Sequence, residues 1–80
     1  MLPKNLVALI ENGIVEHVTI SRSPPTSGWA VSAYGRTLPP DVVNTIELNS
    51  EGCKRLWADL DAAYTFIRKC GFQNPILIEG

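Results

Sequence analysis

Few side chains in this sequence have both the type and the spacing that chemistry needs. His17 is the single histidine, and no further ligands stand around it at metal-binding spacing, so no zinc site can be read. Cys53 and Cys70 are far apart and make no CxxC pair. A nucleophilic Cys70 would need a base, and at the C-terminal end of a helix its thiolate is disfavoured. Asp59 and Asp61 stand two apart, so on a helix they do not share a face. Asp59 reads as a helix cap and not as half of an acid pair. There is no glycine-rich phosphate loop and no nucleophile elbow. The expectation is a non-enzyme with no catalytic residues, metal, cofactor or small-molecule substrate.

What could act is a surface. Alternation along two strand-like runs puts Thr19, Ser21, Ser32 and Tyr34 on one side of a sheet. Arg22 and Arg36 lie near the hairpin, and Arg55 is able to join from the next strand. Small polar groups with arginine and an aromatic suit contact with a protein or with nucleic acid. The competing reading is a simply solvated face. The loop from Ser21 to Ser27 could grip a partner. A second candidate is Ile76-Leu77-Ile78, apolar on both sides, which wants either an inner place in the sheet or pairing with a second chain.

These residues need elements to hold them. The organising element is a helix opening at Asp59, with Leu60, Ala63, Ile67 and Cys70 on one face and Tyr64 and Phe66 flanking it. Asp61 sits near its positive end, and Arg68 and Lys69 near its negative end. Gly71 stops it, and Phe72 can fold back on Ile67. Burial of Leu60, Ile67 and Phe72 should contribute roughly 1.5–3 kcal/mol each. Pro3 to Asn12 predicts a short first helix stopped by Gly13. Ile14 to Arg22 and Trp29 to Tyr34 predict a hairpin with a long proline-stiffened tip. Thr45–Leu48 and Cys53–Trp57 predict a second hairpin. A three-residue loop there exposes Trp57, whereas a four-residue loop buries Trp57 and exposes Leu56.

Composition bounds the rest. Eighty residues, 45% hydrophobic and 19% charged, make one small domain spanning 1–80 with a marginal core and fewer charges than usual. The net charge of -1, from 7 Lys+Arg against 8 Asp+Glu, lacks the basic excess that phosphate-backbone binding normally shows. The N-terminal apolar run is too short for a signal peptide, and no stretch is long enough to span a bilayer. A cytoplasmic location with free thiols and no membrane partner is expected.

Two resemblances add to this. Gly28-Trp29, Leu56-Trp57 and the helix after them are similar to the three-strands-plus-helix domains of plant ethylene-response factors and of tyrosine-recombinase arm-binding domains. That likeness implies a sheet pressed into the DNA major groove. Gly28-Trp29 through Leu60-Asp61-Ala62-Ala63, Phe66-Ile67-Arg68 and Gly71-Phe72, followed by Ile76-Leu77-Ile78, resembles small accessory proteins of bacterial plasmids and integrative elements, associated with replication or maintenance. It implies a binding or regulatory role. The fold expected is α+β: a short N-terminal helix and a twisted antiparallel sheet of three to five strands, with one main helix on one face. The function expected is protein–protein association, as a dimer or with a partner, through the sheet edge or its open face; the alternative is sheet-mediated DNA binding.

Overall fold

A computed structural model of the chain describes residues 1–22, 28–38, 45–46 and 55–79. The order of elements is α1 (Pro3–Glu11), β1 (His17–Arg22), β2 (Trp29–Tyr34), α2 (Leu60–Lys69) and β3 (Ile76–Glu79). This is an α+β arrangement, with a three-stranded sheet ordered β2-β1-β3.

Both helices end as their sequences dictate. Pro3 opens α1, where its missing N–H goes unneeded. The chain leaves through Gly13 at φ 71°. The N–H of Gly13 donates to the Ile10 carbonyl and that of Ile14 to the Leu9 carbonyl, a left-handed glycine stop that satisfies the helix's last acceptors. Ile14 is thereby tied to the helix, so the first strand begins at His17 and not at Ile14. Asp59 caps α2 by accepting from the Ala62 N–H at 2.7 Å, and Gly71 at φ 99° ends it.

β1 and β2 pair antiparallel, with His17 opposite Tyr34 and Ile20 opposite Val31. The expected sheet was antiparallel throughout, but β3 runs parallel to β1, with Val18 opposite Ile76 and Ile20 opposite Ile78. The reason is the helix. α2 carries the chain back to the end of the sheet where β1 starts, so β3 sets out alongside β1 in the same direction, as a crossover connection requires.

The core lies on one side of this sheet. Val18, Ile20, Val31 and Ala33 form one buried cluster with Leu6 of α1, Ala63 and Ile67 of α2, and Ile46, Trp57, Cys70 and Phe72. The free edge of β2 is bordered by backbone bonds in both directions between Trp29 and Trp57, and by the Ile46 N–H on the Val31 carbonyl. Thr45 pairs there with Ser32, and the terminal ammonium of Met1 donates to the Thr45 carbonyl. Trp57 is 7% exposed and Leu56 39%, the pattern attached above to a four-residue loop. That loop, the rest of its two strands, the proline-rich hairpin tip and residues 39–44 lie outside the described residues. At Gly35 the chain passes so close to Ile14 that any Cβ would strike the Ile14 carbonyl.

Candidate interaction surface

The strand pairings divide the expected contact residues cleanly. Thr19, Ser21, Ser32 and Tyr34 share the face turned away from the core, where register places His17 beside Tyr34 and Thr19 beside Ser32. Their neighbour from β3 is Leu77, opposite Thr19. The rings of His17 and Tyr34 stack at 5.2 Å, and the hydroxyls of Ser32 and Thr45 lie 3.2 Å apart. Thr19, expected to be wet, is buried because it is the central residue of the central strand, with neighbours on both sides. Leu56, adjacent to the core residue Trp57, also turns to this face.

Two of the three arginines are placed elsewhere. Arg22 alternates to the core side, and its guanidinium lies 5.1 Å over the Trp29 ring. Arg55 covers the rings of Trp57 and Phe66 at 4.9 and 5.7 Å, a stacked use of arginine that shields the edge of the core. Arg36 stands at the end of β2, 3.3 Å from the Glu16 carboxylate, with its own side chain almost fully exposed.

Glu16 ties the start of β1 to the end of β2. It accepts from the backbone N–H of Arg36. That bond is the main reason its carboxyl is held below the usual range; desolvation opposes it, and the Arg36 side chain and charge add to it. The folded carboxyl therefore titrates below its unfolded value, so its contribution is present above the usual carboxylate range and is lost as the pH falls through the folded pKa. Glu16→Gln is expected to flatten the acid limb of the stability-versus-pH curve, followed by urea melts between neutral pH and pH ~3. Limbs of equal slope would refute the assignment.

A residue that sequence reasoning left on the wet side of the helix has a structural post. Arg68 donates from one Nη to the carbonyls of Phe72 and Asn74, at 2.8 and 2.9 Å. It thus fastens the turn that launches β3. The signal was present in its place in the last turn of α2, where a cation meets unpaired carbonyls.

β3 is the edge. Leu77 is 54% and Ile78 52% exposed, while Ile76 is half-buried against the core cluster. Among the described elements α2 packs chiefly over β1 and β2, and Ile78, on the same side of the sheet, stays half-exposed. The direction of the backbone groups follows from the other pairings. Trp29 and Val31 spend their outward groups on Trp57 and Ile46, so Ala30, Ser32 and Tyr34 face β1 and bond to Ser21, Thr19 and His17. Val18 and Ile20 are left to face β3. In a parallel ladder such residues bond to the neighbours of their register partners, here Leu77 and the residues on either side of Ile76 and Ile78. The N–H and C=O of Ile76 and Ile78 therefore point out from the sheet edge.

Among the described residues no group of three His, Cys, Asp or Glu could hold a metal, and no helix is long and apolar enough to cross a membrane. Cys70 is buried and free, and burial pushes its thiol up, which makes it a packing residue and a poor nucleophile. Cys53 lies outside the described residues.

The fold and surface define a small α+β domain with one helix-covered sheet face, one face without a described helix, and an apolar edge strand. Compared with protein-family models, with curated proteins and with solved structures, the chain finds no match.

Proposed function

We propose that this chain is a non-enzymatic binding protein, an accessory factor of the kind carried by bacterial mobile elements, acting in the cytoplasm through protein–protein association along the outer edge of β3. The mobile-element assignment rests on the resemblance of Gly28-Trp29, the helix and Ile76-Leu77-Ile78 described above. The association rests on one observation: β3 presents two half-exposed aliphatic side chains, Leu77 and Ile78, beside outward-pointing backbone groups. Edge strands with unpaired groups recruit a further strand unless charge, proline or a bulge blocks them. Within β3 the only charge is Glu79, at its end.

The placement of the arginines favours a protein partner over DNA. Two of the three lie over aromatic rings on the core side, and the third is paired with Glu16. A sheet that reads DNA needs those cations on its open face, released to phosphates and bases.

The test is Ile78→Lys, an edge-blocking charge at a half-exposed position where the folded monomer should change by no more than about 0.5 kcal/mol. The native chain and the variant, each recovered from the cells that carry it, are compared by sizing with light scattering. Association that Ile78→Lys abolishes supports the reading. Profiles that match for the two chains would remove it.

A further inference from the structure

We propose that the occupant of this edge is a second copy of the chain, its β3 paired antiparallel with the first about a two-fold axis beside Leu77. The inference rests on the edge reading above and deepens it by naming the partner and the register.

A two-fold axis normal to the sheet makes the two edge strands antiparallel and keeps core face with core face. Residues directly opposite must then lie on the same face, so the axis passes beside a residue and not between two. Centred on Leu77, the register sets Ile76 against Ile78 of the partner subunit, and Ile78 against the partner's Ile76. Those are the residues whose N–H and C=O point outward, so each pair exchanges two hydrogen bonds and the junction closes with four. Leu77 meets the partner's Leu77 on the open face. Glu79 falls opposite the partner's Pro75, so no like charges stand across from each other.

The other registers lose these matches. Centred on Ile78, the pairing puts Leu77 against a carboxylate, the partner's Glu79. Parallel self-pairing needs an axis along the strand, which turns one sheet over and sets the isoleucines of one copy beside the open face of the other. The Leu77-centred register also supplies what one copy lacks. α2 lies over β1 and β2, and the four isoleucines cover one another in the trough between the two α2 helices. The product is a continuous six-stranded sheet with Leu77 and its partner at the centre of the open face.

The test uses the purified chain alone. Sedimentation from low micromolar to near-millimolar concentration should show a shift from one-chain to two-chain mass, and Leu77→Glu should remain at one-chain mass with an unchanged circular dichroism spectrum. In a Cys53→Ser, Cys70→Ala background with the native sedimentation profile, Leu77→Cys should form an intermolecular disulfide on mild oxidation. Facing Cα atoms in a non-hydrogen-bonded pair are about 4.5 Å apart, within disulfide reach. Ile78→Cys should not crosslink to itself, because its copies stand on a diagonal roughly 7–8 Å apart. A native chain at one-chain mass throughout, or crosslinking by Ile78→Cys and not by Leu77→Cys, would overturn the proposal. If the purified chain stays single while association sensitive to Ile78→Lys persists in its own cells, the self-pairing fails and the edge reading stands.

Discussion

Replacing Trp57 by alanine is expected to destabilise the chain by about 3–5 kcal/mol, the range for truncating a buried aromatic. The domain has roughly 4–12 kcal/mol in total at typical stability per residue, so this variant should be partly unfolded at room temperature. Trp57 is 7% exposed, its ring lies 4.8 Å from that of Phe66 on α2, and its backbone exchanges both hydrogen bonds with Trp29. Removing the ring opens a gap between α2 and the border of β2, and strips Arg55 of one of the two rings it covers. The change should appear as a lower urea midpoint with the slope preserved. A loss below about 1 kcal/mol would mean that the ring is not part of the core.

Ile67→Ala is expected to cost about 2–5 kcal/mol. Ile67 is fully buried at the centre of the apolar face of α2, where the helix meets β1 and β2. Alanine is the better helix former, so any propensity effect would stabilise; the whole loss must then come from packing. Thr65→Ala, on the exposed side of the same helix, should change stability by less than about 0.5 kcal/mol. Equal effects at the two positions would contradict the orientation of the helix.

The helix was the most legible part of the sequence because its signals are local. Asp59 as cap, Gly71 as stop and the repeat through Ala63, Ile67 and Cys70 all act within a few residues of each other. The hairpin faces were legible for the same reason, since alternation sorts Val31 from Ser32 without reference to the rest of the fold. What did not show was pairing between distant segments. Nothing near Ile76 says that it lies parallel to Val18; that follows only from the way α2 returns the chain. Two of the arginines were legible by alternation and were placed by proximity instead: Arg22 lies two residues from Ile20 and Arg55 two from Trp57, so each starts on the core side beside the ring that it covers. The interaction surface was legible only as two apolar residues too many in Ile76-Leu77-Ile78. The direction of its backbone groups depends on bonds made far away in sequence, those of Trp29 with Trp57 and of Val31 with Ile46.

Whether the edge of β3 takes another strand of this chain can be read from its backbone amides. Amide hydrogen exchange can be followed residue by residue at a dilute and at a concentrated sample of the purified protein. The N–H groups of Leu77 and Glu79, spent on β1, should be protected in both. Those of Ile76 and Ile78 should exchange freely when dilute and become protected when concentrated. Ile76 and Ile78 amides that exchange equally fast at both concentrations would rule out strand pairing at this edge.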